Sequence, residues 1–386
     1  MKKSIYFYLL SFLVIAMSCT KDFPNPALPD VKSIPTDPIK SFGLVSPASG
    51  LAVTVFTSSQ TVVIDWEDSP DATTYEWVAD VPTGTFATPK LVIPADNSGK
   101  MSKLTLTYTQ IDALLATAGI VVGGSVDYKW SVRAKSGTNV RLASTPRNIT
   151  FKRGGVTFTI NVPANTPASY DVYFAGEFGF LTGSNWQQPG TNQSLKFTKN
   201  SNGTYSIVLG IPPGQTFEYK YFIAPVGGSS WGNGEREPNS NGVGTKGLSN
   251  RKFTFTGTNT DIYQVVSFWE GYDYPYVSFN LVAPANTPAD RDVFVAGQFN
   301  KLGAPNEWQQ PGTNPSLQMT KSTPTGLNYF IVFPQPASGT SLEYKYFVSS
   351  VGSPTWNNGS NGGNKSYTFS GSNNAQSDNV SSWDGI

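Results

Sequence analysis

The chain has 386 residues, enough for two or three domains of ordinary size. Its 37 Gly, 28 Pro, 13% aromatic and only 14% charged residues describe an extracytoplasmic all-β protein and exclude a long helical bundle. With 27 Lys and Arg against 26 Asp and Glu there is no basic field to hold nucleic acid, and with no histidine there is no Ser-His-Asp or Cys-His catalysis and no His-based metal site.

The first 18 residues, "MKKSIYFYLLSFLVIAMS", join a basic start to an apolar run and read as a secretory signal peptide over 1–18. The run is too short for a convincing membrane span. The "AMSC" at its end resembles a bacterial lipoprotein box, with Met17 where a smaller residue is more usual. That resemblance implies a lipid on Cys19 and attachment to the outer membrane; the alternative is an ordinary signal peptide followed by a chance cysteine. Cys19 is the only cysteine, so no internal disulfide is available. The Pro-rich "TKDFPNPALPDVKSIPTDP" lacks periodicity and reads as a tether over 19–40, and its "KD" resembles the acidic export signals of surface-displayed lipoproteins.

Residues 41–152 form a unit of their own. "QTVVIDWEDSPDATTYEWVADV" and "SVDYKWSVRAKSG" alternate like strands, which points to an immunoglobulin-like or fibronectin-like sandwich with Trp66, Trp77 and Trp130 in its core. Between them, "TQIDALLATAG" predicts a short helix with Thr109 as N-cap and Gly119 as its stop.

The remainder is a duplication. "VPANTPASYDVYFAGEF" matches "APANTPADRDVFVAGQF", "NWQQPGTNQSL" matches "EWQQPGTNPSL", "FEYKYF" matches "LEYKYF", and "WGNG" matches "WNNG". The repeat is too long for a solenoid, so residues 154–272 and 273–386 are tandem modules. Short β-branched and aromatic runs such as "VTFTIN", "YDVYFAG" and "GTYSIVLGI", bounded by Gly, Pro and Asn, predict a β-sandwich for each.

Carboxylates at matching positions are few: Asp171 and Asp292, Glu218 and Glu343, Glu270 and Asp384. Glu177, in a loop suited to face a ligand, becomes Gln298 in the second copy, which would abolish a general acid. No enzyme is therefore expected, and no cofactor or metal. In the "FEYKYF" strand, alternation sends Phe217, Tyr219 and Tyr221 to the core and Lys220 outward, with Lys345 its counterpart. Trp186, Trp231, Trp308 and Trp356 lie in Gly/Pro/Asn-rich loops, where a core role is hard to arrange. Trp269 and Trp383, ending the last strands, fit a closing role in the core. Exposed indoles among amides and a few cations suit stacking on the C–H faces of sugars.

The order of these landmarks resembles carbohydrate-binding module family 20, the starch-binding domains. The resemblance implies one site per module: Trp186, Lys220, Trp231 and Asn250 with Arg251 adjacent, then Trp308, Lys345, Trp356 and Asn364 with Lys365 in place of the arginine. The insertion "GEREPNSNGVGTKGLS" precedes Asn250 in the first copy only. The whole layout is similar to SusE/SusF-type outer-membrane lipoproteins, which implies polysaccharide as partner, starch foremost, and other components of a glycan-import complex. Another glycan, or a structural or adhesion role in which the tryptophans support loops, are the alternatives.

Overall fold

The computed structural model describes residues 39–372 and 374–386; the expected signal peptide, Cys19 and the tether as far as Pro38 lie outside the described residues. In the first unit, Leu44–Ser46, Thr61–Trp66 and Lys103–Thr107 form one sheet. The facing sheet runs Leu51–Val55, Arg147–Arg153, Ser125–Ser136, Thr74–Asp80, Leu91–Pro94, with Asn139–Leu142 also paired to Ser125–Ser136. Alternation lets the sheets close: Thr61–Trp66 turns Val62, Ile64 and Trp66 inward and Thr61 and Val63 outward. Trp66, Trp77 and Trp130 all lie in the resulting core.

The helix spans Tyr108–Thr117, and its N-cap is Thr107 rather than Thr109. Thr107 Oγ1 accepts from the Gln110 amide at 3.2 Å while Gln110 Oε1 accepts from the Thr107 amide at 2.8 Å. This reciprocal cap satisfies two amide donors that the helix leaves unpaired. Thr109 sits inside the first turn and donates its hydroxyl to the Ser58 carbonyl. Gly119, at φ 80°, ends the helix as expected.

The duplicated region folds as two sandwiches on one plan. In the first, Thr198–Lys199, Tyr205–Leu209, Val156–Asn161 and Asp261–Val265 form one sheet, facing Tyr170–Gly176, Thr216–Pro225 and Arg251–Thr254. In the second, Thr320–Lys321, Asn328–Pro334, Tyr276–Val282 and Ala375–Asn379 face Asp292–Gly297, Ser341–Ser349 and Lys365–Thr368. The last pair of each larger sheet is parallel. Phe217, Tyr219 and Tyr221 point into the core, and so do Leu342, Tyr344 and Tyr346 of the second copy. Phe174 is the hub of the first core, with the rings of Phe158, Phe178, Phe197, Tyr219 and Tyr221 centred 4.7 to 5.2 Å away. Each such pair contributes ~0.5–1.5 kcal/mol beyond the apolar area it buries.

Trp269 and Trp383 are buried, and each indole N–H donates to a threonine hydroxyl, Thr166 or Thr287, at 2.9 Å. Those hydroxyls donate in turn to the carbonyls of Pro163 and Pro284 at 2.6 Å. The repeated "PANTP" is therefore the polar socket that lets a tryptophan be buried with its N–H satisfied.

The insertion of the first copy builds the hairpin Glu235–Pro238 and Thr245–Gly247, paired to Phe268–Trp269. Its tip reaches the second module. Tyr276 Oη donates to the Gly244 carbonyl at 2.7 Å, and a Cβ on Gly242 would lie 2.5 Å from the Asn374 backbone.

Candidate functional site: paired tryptophan loops

Each module carries two tryptophans on loops that are fastened to each other. Trp186 and Trp308 follow the strands ending at Gly176 and Gly297, and their amides donate back to those glycine carbonyls at 2.6 and 2.7 Å. Both have positive φ, 49° and 46°, a region that bulky side chains avoid. A conformation of this kind persists only where its surroundings enforce it.

The rest of the "WQQPGTNxSL" motif supplies that enforcement. Asn192 Nδ2 donates to Gln187 Oε1 at 2.9 Å, and Asn314 Nδ2 does the same to Gln309 Oε1 at 2.6 Å. The same asparagines cap the short 3-10 turns Gln193–Leu195 and Pro315–Leu317 by accepting from the amides of Ser194 and Ser316. Leu195 and Leu317 anchor the loop ends in the cores. Gln187, Asn192 and Leu195 of the first copy, and Gln309, Asn314 and Leu317 of the second, are therefore scaffolding.

The second loop locks onto the first. The Ser230 amide donates to the Pro189 carbonyl at 3.1 Å, and Thr355 donates to Pro311 at 3.2 Å. At the joint stands Gly190, φ 98°, where a Cβ would fall 2.0 Å from the Gly228 carbonyl oxygen. Gly312 is its counterpart, at 2.5 Å from Ser350 O.

One residue beyond the joint, Trp231 is 44% exposed and Trp356 43% exposed. Each stands edge-on over a phenylalanine, Phe222 or Phe347, with centroids 5.4 Å apart. Alternation places Phe222 on the outer face beside Lys220, yet it is buried, with the Trp231 indole and the Gly234 backbone both against it. Phe222 and Phe347 are thus pedestals that strand reading assigned only to the outward face; the available signal was an aromatic two residues from the lysine in both copies.

The lysines hold the neighbouring loop. Lys220 Nζ donates to the Leu248 carbonyl, and Lys345 Nζ donates to the Gly362 carbonyl at 3.1 Å, in each case two residues before the candidate asparagine. Partial burial lowers the pKa of the Lys220 ammonium. Lys345 also lies 3.7 Å from Asp384. Asn250 Nδ2 donates to Glu218 Oε2 at 3.3 Å, whereas Asn364 is exposed.

Arg251 requires a correction. Its Nε and Nη2 are both held by Glu235, at 2.8 to 3.1 Å, and Nη2 also reaches the Val265 carbonyl. Glu235 is 1% exposed, so this is an interior ion pair and not a ligand contact. Lys365 is likewise engaged, 3.4 Å from Asp378. The copies exchange partners consistently. In the first, Glu235 carries the carboxylate while Gln264 accepts from Tyr219 and Tyr221; in the second, Ser360 pairs with Trp383 as Glu235 pairs with Trp269, and Asp378 both faces Lys365 and accepts from Tyr344 and Tyr346.

Glu177 is exposed and tied to the neighbouring strand. Its Oε2 accepts from the Glu218 amide at 2.8 Å, and Gln298 Oε1 accepts from the Glu343 amide at 3.2 Å. Only an acceptor is needed there, so the exchange is conservative. Of the other matched acids, Asp171 pairs with Lys196 at 2.7 Å and Glu270 with Arg236 at 3.2 Å. Among the described residues no group of three Asp, Glu, His or Cys is placed to hold a metal ion.

No protein-family model matches this chain. A 65-residue stretch is 37% identical to part of an α-amylase from Niallia circulans, taking in 17% of this chain and only 4% of that protein. Among solved structures, a family 15 glucoamylase from Hypocrea jecorina matches at 17% identity over 34% of this chain and 21% of its own, with a TM-score of 0.21. A gamma-CGTase from alkalophilic Bacillus clarkii matches at 14% identity over 84% of this chain and 36% of its own, TM-score 0.20. Fibronectin(III)-like modules of CbhA from Clostridium thermocellum match at 12% over 49% of this chain and 88% of theirs, TM-score 0.18. At these scores the superpositions add nothing to the all-β, multi-sandwich fold read from the sheets themselves.

Proposed function

We propose that the protein is a non-catalytic glycan-binding protein that captures starch or malto-oligosaccharides on two tryptophan platforms. The observation that carries this reading is the fastened loop pair, built twice, with one indole held at positive φ and the other standing exposed on a buried phenylalanine. Strain and exposure of large aromatic groups both cost stability, and both recur at the same place in the two copies. The sequence likeness to a segment of an α-amylase favours an α-glucan. Engagement of Asp171, Glu270 and Asp384 in ion pairs, and of Glu218 with the Asn250 amide, argues against hydrolysis.

With a lipid on Cys19, the chain would sit on the outer membrane in the manner of a SusE/SusF-type lipoprotein and hand polymer to an uptake system. Doubling suits weak sites. A millimolar site is worth about 4 kcal/mol, and two sites on one polymer raise avidity by roughly 10²–10⁴.

Calorimetric titration of the full-length chain with maltoheptaose, with cellohexaose as control, tests the glycan class. Heat with maltoheptaose alone is the expected result. Heat only with cellohexaose, or with neither, would remove the α-glucan reading.

A further inference from the structure

Between the two modules lies a cleft of about 220 Å³, lined by Asn250, Lys252 and Val265 on one side and by Asp292, Gln318 and Met319 on the other. Thr320 closes it by donating to the Val265 carbonyl at 3.1 Å. In the first module the matching acid, Asp171, is neutralised by Lys196, which bridges Tyr173 as Gln318 bridges Phe294. Replacing that lysine by Gln318 removes the ammonium and leaves an acceptor. Gln318 is 7% exposed, and its Oε1 has no hydrogen-bond partner. A buried acceptor without a donor is costly, which marks the place where a donor belongs.

The donor has a definable chemistry. Lys252 and Arg291 line the same cleft as exposed cations, so a cationic ligand is disfavoured. Asp292 and the free Gln318 acceptor disfavour an anion. A neutral, hydroxyl-rich group meets both conditions, with O–H donors for Gln318 and Asp292 and hydroxyl acceptors for Lys252. The cleft is smaller than the pockets that hold drug-sized ligands, about 300–1,000 Å³, and suits one sugar ring. Asn250 lines it as well, and in the family resemblance Asn250 belongs to the first platform.

We propose that this inter-module cleft is a third sugar subsite, taking one hexose unit of a glucan chain that is also held on the first module. This rests on the α-glucan reading of that platform. Asn250, a candidate residue of the first site, lines the cleft, so a chain that touches Asn250 on the first module can set its next unit against the second. The fold therefore offers three contacts on one polymer where the duplication alone offers two.

The chain contains four methionines, of which Met319 lines the cleft and Met101 is an exposed residue of the first unit. Methyl-labelled methionine and indole N–H resonances of the full-length protein are followed during titration with maltose and maltoheptaose. The expected result is movement of the Trp186 and Trp231 indole signals with both sugars, of Met319 with maltoheptaose, and of Met101 with neither. Gln318→Lys recreates the ion pair of the first module and is expected to fold. It should abolish the Met319 response, keep the indole responses, and weaken maltoheptaose about fivefold, the worth of one or two neutral hydrogen bonds. Indole responses with a silent Met319 would overturn the cleft and leave the platforms standing. A Met319 response that survives Gln318→Lys would overturn direct occupation. Silence of every signal would overturn the cleft and the α-glucan reading together, and Met319 moving without the indoles would overturn the shared chain, since the sugar in the cleft would then not be held on the first module.

Discussion

Trp186 and Trp308 hold a backbone conformation that costs an L residue about 1–2 kcal/mol and costs glycine nothing. Comparing Trp186→Gly with Trp186→Ala removes the indole in both and leaves only the backbone term. The glycine variant should be more stable than the alanine variant by about 1 kcal/mol in urea unfolding, and both should lose sugar binding. Equal stabilities would mean that the positive φ carries no strain. Arg251 makes the opposite kind of claim, because its loss strands Glu235 in the interior. Arg251→Ala should cost ~3–5 kcal/mol, the usual cost of halving a buried ion pair. Installing the second module's set, Glu235→Ser with Arg251→Lys and Gln264→Asp, should recover most of that loss in the same unfolding assay. Full stability of the single variant with loss of binding alone would return Arg251 to the ligand site.

At the scale of elements, the joint between the two tryptophan loops is the critical piece. Gly190→Ala drives a methyl group into the Gly228 carbonyl, so it should lower stability by more than about 2 kcal/mol and abolish binding by the first module. Gly183→Ala, at φ 79° but with open space around it, should cost only about 1 kcal/mol and leave binding intact. Similar losses in the two variants would show that the joint does not matter. The strands were legible because alternation is a direct imprint of a two-faced sheet: the inward set of Phe217, Tyr219 and Tyr221, and the core tryptophans, follow from it. The exposed indoles were legible from turn-rich surroundings. What hydrogen bonds do across the chain was not. "PANTP" as a socket for a tryptophan about a hundred residues away, Asn192 as the brace of Gln187, and Arg251 turned inward all depend on tertiary partners that no local pattern specifies. The helix start slipped by two residues because Thr107 and Thr109 both carry capping side chains, and only Thr107 has Gln110 three residues on.

For the whole molecule, the contact between modules sets both the spacing of the platforms and a dependence on pH. Burial pushes the Asp292 carboxyl up to about 6 from its ordinary 3.8, with the Gln318 amide pulling part of the way back. The unfolded chain therefore releases that proton first, so this group makes stability fall as pH rises from about 4 to about 6, and its full penalty is present at neutral pH. Thermal unfolding of Asp292→Asn across that window should show this decline removed, and an unchanged pH profile would contradict the burial of the carboxyl. The hairpin tip at Gly242 and Gly244 contacts the second module, and the proposed capture of one polymer by both platforms would draw on that contact. The most direct test of the central claim is affinity electrophoresis of the full-length chain in gels containing amylopectin, dextran or xylan, beside single and double variants of Trp231→Ala and Trp356→Ala. The account predicts retardation in amylopectin alone, reduced in each single variant and lost in the double; equal migration of all four proteins in every gel would contradict it.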